Sequence, residues 1–348
     1  MTLLLAFLLT AAQPAELRWH DVRSLRFEGK GWADTKHAFD RLPARAEGVV
    51  RAPVWSLQQD SAGMTAGFRT NATTIRARWT LRKPRLALPH MPATGVSGLD
   101  LYVRHQGKWR WIGAGRPEKT ANDTPRVADL PGGTREFLLY LPLYNGVESV
   151  EIGVAGDATL EALPARGKPA VFYGTSILQG GCASRPGMAY PAIIGRELDI
   201  PTINLGFSGN GKTEPEMAKL MAELDPSVYV LDSLPNLEPA EAHERLEPFI
   251  RTLRQAHPRT PVVLVENVVY TNAYLLESRA KRVKGNNAEL SAVFQKLRKE
   301  GDRHLYYVPA ANLYGDDSEA TVDGSHATDL GFLRMAAVIG KALRPHLR

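Results

Sequence analysis

The chain has 348 residues, of which 44% are hydrophobic and 23% are charged. This composition is typical of a globular protein, and the length is sufficient for two domains. The formal net charge is +6, but the basic residues are scattered and form no long run, which argues against a nucleic-acid partner. The single cysteine, Cys182, excludes an intramolecular disulfide, and we expect it to be a small buried packing residue.

Residues 1–15 have the pattern of a secretory signal peptide. They form an apolar run followed by small residues and a proline. The run is shorter than the ~20 residues that a membrane-spanning helix needs. It therefore predicts an exported protein, periplasmic or extracellular, whose mature chain starts near Ala15 and is not inserted in the membrane. Because no positive charge precedes the apolar run, a misplaced translation start and a short membrane anchor stay open as alternatives.

Residues 16–165 have the pattern of an all-β domain. Period-two alternation of β-branched and aromatic residues, punctuated by glycine and proline, is clear at 67–81 and 98–112. This predicts antiparallel strands packed as a β-sandwich of the jelly-roll type. Trp109 and Trp111 fall on one face of a strand, where they could stack on a sugar ring or fill the sandwich core, and the core is favoured.

Residues 166–348 follow a linker at 164–169 and change in character. Five apolar runs alternate with helical patterns, which predicts parallel strands joined by helices. We expect a flavodoxin-like three-layer α/β/α sandwich with a five-stranded parallel sheet. The predicted strands are 170–173, 202–205, 228–231, 262–265 and 304–308, and the predicted helices are 188–199, 214–224, 239–256, 279–300 and 328–346.

Two segments together indicate nucleophilic catalysis. V-F-Y-G-T-S-I-L-Q-G-G at 171–181 presents Ser176 where an apolar strand ends, and D-G-S-H at 323–326 supplies Asp323 and His326. A serine hydroxyl becomes an effective nucleophile when an imidazole takes its proton and a carboxylate orients the imidazole. Either segment alone is more often a helix cap or a solvated loop. In combination, they predict a Ser-His-Asp triad at the carboxyl end of a sheet.

A competing motif lies at 206–213. The sequence G-F-S-G-N-G-K-T fits the phosphate-loop pattern G-x-x-x-x-G-K-[ST] and stands between a predicted strand and a predicted helix. Asp232, at the end of the next strand, would then be a magnesium ligand. A nucleotide hydrolase is therefore an alternative. Against it, the loop follows the second strand of its domain, and the three triad residues would have no role.

The same glycine-rich loop also suits the chemistry of a serine esterase. Attack on an ester carbonyl places negative charge on its oxygen, which backbone N–H groups can stabilise. The amides of Ser176 and Gly209 are candidate donors, because glycine lets the backbone approach closely. Asn236 in D-S-L-P-N is a third candidate, although beside Pro235 it would by itself be a turn residue.

Four blocks in this order resemble the SGNH hydrolase superfamily, the GDSL-type esterases and lipases. They are G-T-S-I (174–177), G-F-S-G-N-G (206–211), D-S-L-P-N (232–236) and D-G-S-H (323–326). The run at 173–190 resembles the bacterial subgroup that carries an additional N-terminal β-domain. The resemblance covers about 170–345.

The resemblance implies Ser176 as nucleophile, His326 as general base and Asp323 as the residue that orients it. It also implies Gly209 and Asn236 as oxyanion donors and a reaction without a metal or an organic cofactor. Two blocks depart from the family pattern: the first has G-T-S-I in place of G-D-S-L, and the third has L-P-N where many members have G-x-N-D. The second departure makes Asn236 the least supported of the five.

We therefore expect an exported serine esterase that cleaves short acyl groups, acetyl first, from a small-molecule or polysaccharide ester. A β-sandwich ahead of an SGNH domain is similar to the layout of carbohydrate esterases. Arg185 and the segment 270–276, with Tyr270, are candidates for lining the acyl or leaving-group pocket, and Trp109 and Trp111 for contacting a sugar. A lipase or lysophospholipase-type hydrolase and a non-catalytic glycan-binding protein are the remaining alternatives.

Overall fold

The computed structural model describes residues 16–347. The signal peptide predicted at 1–15 lies outside the described residues. Within the part that is described, no helix combines the length and the apolar character needed to cross a membrane.

Two antiparallel sheets form most of the N-terminal region. Their elements are β1 (Leu17–Asp21), β2 (Arg26–Glu28), α1 (Ala52–Leu57), β3 (Thr65–Thr70), β4 (Ile75–Leu81), α2 (Ala93–Val96), β5 (Asp100–His105), β6 (Lys108–Ala114), β7 (Ala121–Val127), β8 (Arg135–Tyr140), β9 (Val147–Ala155) and β10 (Leu160–Ala162). One sheet has the order β1-β9-β4-β7, and the other has the order β10-β3-β8-β5-β6, with β2 also paired to β3.

The alternation along β4 shows how the sandwich forms. Ile75, Ala77, Trp79 and Leu81 are buried in the core between the two sheets, while the residues between them are half-buried. Because successive side chains of a strand point to opposite faces, this pattern gives the strand one apolar face. The predicted all-β region is confirmed.

The rest of the chain builds one parallel sheet between layers of helices. Its elements are β11 (Ala170–Gly174), α3 (Ser176–Gln179), α4 (Tyr190–Glu197), β12 (Thr202–Gly206), α5 (Pro215–Met221), β13 (Val228–Asp232), α6 (Pro239–Ala256), β14 (Val262–Val265), α7 (Glu277–Lys299), β15 (Leu305–Val308) and α8 (Asp329–Leu343). The strand order is β12-β11-β13-β14-β15, and apolar clusters cover both faces of the sheet. The predicted flavodoxin-like three-layer sandwich is confirmed.

A segment between β2 and β3 leaves the β-sandwich and packs on the parallel sheet. Trp32 and Val54 belong to the apolar cluster on one face of that sheet. The buried Arg41 donates from Nη1 to the backbone oxygens of Asn204 (3.1 Å) and Gly206 (2.7 Å) on the edge strand β12. This differs from the prediction of one β-sandwich over 16–165, because this irregular stretch has no periodic pattern to reveal where it packs.

A buried carboxylate joins the two regions near the end of α3. Asp100 of β5 accepts hydrogen bonds from Arg185 Nη1 (2.8 Å), from the Gly187 N–H (2.9 Å) and from Trp111 Nε1 (2.8 Å). The same Arg185 nitrogen contacts the hydroxyl of Tyr102. The β-sandwich therefore holds the loop that follows the helix of Ser176.

Candidate active site

Ser176 stands at the junction of β11 and the short helix α3. Thr175 caps this helix, since its hydroxyl accepts a hydrogen bond from the Ile177 N–H (3.2 Å). A β-carbon on Gly174 would lie 2.2 Å from the backbone oxygen of Asp232, so only glycine lets the two strands approach this closely. Ser176 is 8% exposed and opens into a cleft at the carboxyl end of the sheet.

The three residues of the predicted triad form one hydrogen-bonded chain. Ser176 Oγ lies 2.8 Å from His326 Nε2, and His326 Nδ1 lies 2.7 Å from Asp323 Oδ2. Because the carboxylate accepts a hydrogen bond from Nδ1–H and keeps the proton on that nitrogen, Nε2 is the ring nitrogen that can accept the proton of the serine hydroxyl. The structure thus brings together residues that are separated by 150 positions in the chain.

Asp323 is ionised over the whole range in which a histidine titrates. Burial raises the pKa of its carboxyl, but hydrogen bonds from the backbone N–H and the ring of His326 and from the Ser325 N–H outweigh this effect and lower the pKa to about 2. Both N–H groups donate to Asp323 Oδ1, at 2.8 Å and 2.9 Å. The carboxylate is therefore available to stabilise an imidazolium.

The loop after β12 offers a backbone donor to the cleft. Ser208 N–H donates to Gln179 Oε1 (3.0 Å), and Gly211 N–H donates to a carbonyl within the same loop (2.9 Å). Among residues 16–347, the N–H of Gly209 has no protein acceptor, and the same is true of Ser176 N–H. Gly209 has a φ of +68°, a conformation that glycine adopts without strain. Two free donors beside the serine hydroxyl suit the binding of an oxyanion.

Asn236 faces the same loop from the one-turn helix that follows β13. The orientation of its carboxamide follows from its neighbours: the oxygen accepts hydrogen bonds from the N–H groups of Asn210 (3.0 Å) and Gly211 (3.1 Å). The NH₂ group is then left to donate elsewhere, and the residue lines the cleft together with Ser176. The structure thus brings all three predicted oxyanion donors to one cleft.

The motif at 206–213 does not form a phosphate cradle. Lys212 pairs with Glu241 on α6 (3.5 Å). Asp232, the residue expected to bind magnesium in that interpretation, is buried and accepts a hydrogen bond from Tyr190 OH (2.9 Å). Since the loop amides are mostly used within the protein, the geometry does not support the nucleotide hydrolase alternative.

The cleft has a volume of about 600 Å³ and is lined partly by residues that carry no sequence motif. Tyr270 lines it, as predicted for the pocket. Arg279 and Arg282, from the start of α7, line it too, and no pattern in the sequence marks them. Further along the 270–276 segment, Tyr274 and Leu275 are 82% and 76% exposed.

Arg185, Trp109 and Trp111 do not line this cleft. The guanidinium of Arg185 is held by Asp100 and lies over the ring of Trp111, 5.1 Å from its centroid. Trp109 packs against a small apolar cluster at the interface between the two regions, whereas Trp111 is 51% exposed. The expected place of Arg185 in the acyl or leaving-group pocket differs from the structure, because a buried carboxylate binds it first.

Two further side chains reach the site from loops of the N-terminal region. The ring centroid of His90 lies 5.8 Å from that of His326. Tyr144 OH donates to the backbone oxygen of Ser176 (3.1 Å). The sequence predicts neither contact, since each depends on how the two regions pack together.

The described residues offer neither a reactive thiol nor a metal site. Cys182 is buried, and burial raises the pKa of its thiol to about 12, so it is not a thiolate at neutral pH. Within residues 16–347, no group of three or more His, Cys, Asp or Glu side chains could hold a metal ion.

The parallel sheet carries a hydroxyl, an imidazole and a carboxylate in hydrogen-bonded sequence at its carboxyl end, an arrangement suited to acyl transfer through a serine. The model of the GDSL-like lipase/acylhydrolase family matches residues 167–344, and the model GxDLY, the N-terminus of SGNH-hydrolase-type esterases, matches residues 17–160. The chain therefore belongs to the GDSL-like lipase/acylhydrolase family and is a carboxylic ester hydrolase. The family resemblance of the four sequence blocks is confirmed.

Three solved structures are similar over most of the chain. A GDSL-like lipase candidate from Bacteroides ovatus is 35% identical with a TM-score of 0.90, covering 95% of this chain and 98% of that one. Salicylyl-acyltransferase SsfX3 from a tetracycline biosynthetic pathway is 20% identical with a TM-score of 0.77, covering 95% and 99%. A family two carbohydrate esterase from Clostridium thermocellum, solved with cellohexaose, is 15% identical with a TM-score of 0.59, covering 82% and 93%. The acyltransferase and the carbohydrate esterase show similarity of fold alone. No curated protein matches the chain.

Proposed function

We propose that this protein is a serine esterase that removes short acyl groups, acetyl first, from carbohydrate. The observation that carries the proposal is the hydrogen-bonded chain from Ser176 through His326 to Asp323, beside the free N–H groups of Ser176 and Gly209. These groups meet the two requirements of acyl transfer, a base for the nucleophile and donors for the oxyanion.

The reaction then proceeds through an acyl-enzyme. His326 accepts the proton of the Ser176 hydroxyl as its oxygen attacks the ester carbonyl, and the N–H groups of Ser176 and Gly209 with the NH₂ of Asn236 hold the oxyanion. His326 next gives that proton to the departing alcohol. A water molecule, deprotonated by the same imidazole, attacks the acyl-enzyme, and the imidazolium returns that proton to Ser176 Oγ as the bond to the acyl group breaks and the acid is released. Asp323 remains ionised and stabilises the imidazolium in both steps.

A carbohydrate ester is supported by the character of the cleft. It is open and carries hydroxyl, amide and guanidinium groups, including those of Ser208, Ser278 and Arg282. The carbohydrate esterase with cellohexaose shares the fold. An export signal at residues 1–15 would bring the enzyme to extracellular or periplasmic polysaccharide. Intact-mass measurement of the protein recovered from the periplasm and from the medium tests whether the chain is cleaved near Ala15.

A lipase-type acyl hydrolase is the second candidate, for one reason. Tyr274, Leu275 and Leu276 expose apolar side chains on the segment that leads from Tyr270 in the cleft to α7. Such a surface would suit a longer acyl chain better than an acetyl group.

Hydrolysis of 4-nitrophenyl acetate, butyrate and octanoate distinguishes the two. We expect the highest kcat/KM for acetate and a loss of at least about 10³-fold in Ser176→Ala, because the nucleophile is removed. Ser227→Ala is the matched control and should retain activity. Ser227 lies at the opposite end of the sheet, where its Oγ donates to Pro169 O. A preference for octanoate would support the lipase-type alternative, and full activity of Ser176→Ala would exclude the triad. A folded wild type that cleaves no ester but binds glycan would be a binding protein.

A further inference from the structure

The active-site cleft contains a guanidinium without an acidic partner. Arg279 lines the cleft together with Ser176 and His326. Among residues 16–347, no carboxylate forms an ion pair with it. The nearby carboxylates have other partners: Glu238 pairs with Arg282 (3.2 Å), and Glu277 pairs with Lys281 (2.7 Å).

The triad carboxylate forms no ion pair with Arg279 either. Both oxygens of Asp323 are used, one by the ring of His326 and the other by two backbone N–H groups. Arg279 Nη1 instead contacts the backbone oxygen of Asp323 (3.5 Å) and Asn272 Oδ1 (3.1 Å). Within residues 16–347, the protein contacts of Arg279 Nη1 are therefore with neutral oxygens, and no ion pair with a carboxylate is formed.

Three of the five N–H donors of Arg279 remain free. A guanidinium carries one N–H on Nε and two on each terminal nitrogen, and only Nη1 has protein acceptors among the described residues. The group is held in place by packing: its carbon lies 5.5 Å from the ring centroid of Tyr270, and a β-carbon on Gly324 would come within 2.7 Å of Nη1. A fixed guanidinium with free donors on one side suits a bidentate contact with a planar or tetrahedral oxyanion group.

The position of Arg279 indicates which part of the substrate it would contact. In the proposed mechanism, His326 Nε2 delivers a proton to the departing alcohol, so the alcohol lies on the histidine side of Ser176. Arg279 packs on the 323–326 loop that carries this histidine, whereas Gly209 and Asn236 come from the loops after β12 and β13. Arg279 therefore lies on the alcohol side of the reacting ester.

We infer that Arg279 is a specificity-determining residue that binds an anionic oxygen group, a carboxylate or a phosphate, on the alcohol part of the substrate. The inference rests on the proposed esterase function. With a sugar as the alcohol, the substrate class becomes O-acyl esters of acidic carbohydrate. A neutral ester still reacts with Ser176, but it lacks the charge-assisted contact with Arg279.

The experiment compares two anionic esters, 4-acetoxybenzoate and 4-acetoxyphenyl phosphate, with the neutral methyl 4-acetoxybenzoate. Each enzymatic rate is divided by the rate of alkaline hydrolysis of the same ester. For every protein, the ratio of kcat/KM for an anionic ester to kcat/KM for the neutral ester is measured. We expect the wild type to favour at least one anionic ester, and the two anionic esters distinguish carboxylate from phosphate. Arg279→Gln should lower this ratio about 10- to 100-fold, with Arg279→Lys in between. Lys284→Gln, an equal loss of charge at an exposed position on the same helix outside the cleft, should keep the wild-type ratio.

A purely structural role of Arg279 predicts something different. In that case Arg279→Gln would lower the rates with all three esters by the same factor and leave the ratio unchanged, which would overturn the inference. A wild-type ratio near one for both anionic esters would also overturn it. Calorimetric binding of the product 4-hydroxybenzoate, compared with its methyl ester and with 4-hydroxyphenyl phosphate, needs no turnover. It therefore tests Arg279 even if no ester is cleaved. The absence of any ester cleavage would exclude the proposed esterase function, but the binding measurement would still test Arg279. Binding of both anions that is equally strong in wild type and Arg279→Gln would also contradict the inference.

Discussion

Asp232 shows how strongly the core beneath the nucleophile perturbs a single ionisable residue. It ends β13 beside Gly174, and its Oδ2 accepts a hydrogen bond from Tyr190 OH (2.9 Å). Its Oδ1 is buried and has no hydrogen-bond partner among the described residues. Burial raises the pKa of this carboxyl to about 7, with the hydrogen bond from Tyr190 acting in the opposite direction.

This raised pKa predicts that stability decreases between about pH 4 and pH 7. An unfolded chain loses the Asp232 proton near its ordinary pKa of ~3.9, whereas the folded protein keeps it until about pH 7. The unfolded state therefore binds fewer protons in this interval, and the free energy of unfolding declines as the pH rises through it. In the wild type, we expect the free energy of unfolding to decline by an amount on the order of a few kcal/mol, and we expect Asp232→Asn to remove this decline. Urea unfolding at pH 4.5, 6 and 8 measures the difference.

The matched control for this prediction is Asp225→Asn, a similar change on an exposed side chain that pairs with Lys168. It should leave the pH dependence of the wild type intact. If Asp232→Asn shows the same decline as the wild type, then Asp232 is already ionised in the folded protein at low pH.

For a single residue, the sequence predicts a role that depends on its neighbours in the chain. It cannot predict a role that depends on contacts with distant segments. Ser176, Asp323 and His326 stand in short blocks that dictate their own turns. Arg279 lies 44 positions before Asp323, and only the packing of α7 on the 323–326 loop brings the two together. Arg185 is a candidate for the pocket from the sequence, but Asp100, 85 positions earlier, binds it.

At the scale of the element, the edge strand β12 depends on one buried arginine. Arg41 donates to the carbonyls of Asn204 and Gly206 on β12 and to Leu57 O (2.7 Å) at the end of α1. Its guanidinium lies 4.8 Å from the ring centroid of Phe207. Burial lowers the pKa of Arg41 to about 10, which still leaves it charged at neutral pH. The arginine thus supplies hydrogen-bond donors to a sheet edge that the segment between β2 and β3 buries.

Replacing this arginine should destabilise the protein strongly. Arg41→Met keeps much of the side-chain volume but leaves the buried backbone oxygens of Asn204 and Gly206 without this donor, so we expect a loss of about 2–5 kcal/mol in the free energy of unfolding. Arg45→Met is the control, because Arg45 is exposed and pairs with Asp34 and Glu223 at the surface, and its removal should cost less than about 1 kcal/mol. Chemical denaturation of both variants measures the difference, and equal losses would contradict the role given to Arg41.

Regular elements are the part of the fold that periodicity predicts well. The predicted helix at 239–256 coincides with α6, and the predicted helix at 279–300 begins two residues after α7 does. The stretch from Trp32 to α1 has little regular structure, and its apolar side chains follow no helical or strand period. Its packing on the parallel sheet is therefore set by tertiary contacts and not by a local pattern.

At the scale of the whole molecule, the N-terminal region is part of the active-site structure. His90 lies beside the imidazole of His326, and Tyr144 OH supports the Ser176 backbone. Gln179, whose amide oxygen holds the loop after β12, donates to Asp60 Oδ2 (3.2 Å). Asp100 belongs to the G-L-D-L-Y segment at 98–102 and binds the loop after α3, so the match to the GxDLY model has a physical counterpart.

These shared contacts predict that the molecule unfolds as one unit. The segment around Arg41 completes an apolar cluster of the parallel sheet, so this part of the N-terminal region cannot unfold without exposing the core of the sheet. We expect a single calorimetric transition with a ratio of calorimetric to van't Hoff enthalpy near one. Two separate transitions, or a ratio well above one, would show that the regions are independent domains.

Active-site labelling with a fluorophosphonate, followed by intact-mass and peptide mass spectrometry, tests whether Ser176 is the nucleophile. A serine activated by His326 and Asp323 attacks phosphorus as it attacks an ester carbonyl, so we expect one adduct per chain, located on Ser176. The adduct should be absent in Ser176→Ala, while Ser227→Ala should label like the wild type. A folded wild type that remains unlabelled, or a label on another residue, would contradict the assignment of Ser176 as the nucleophile.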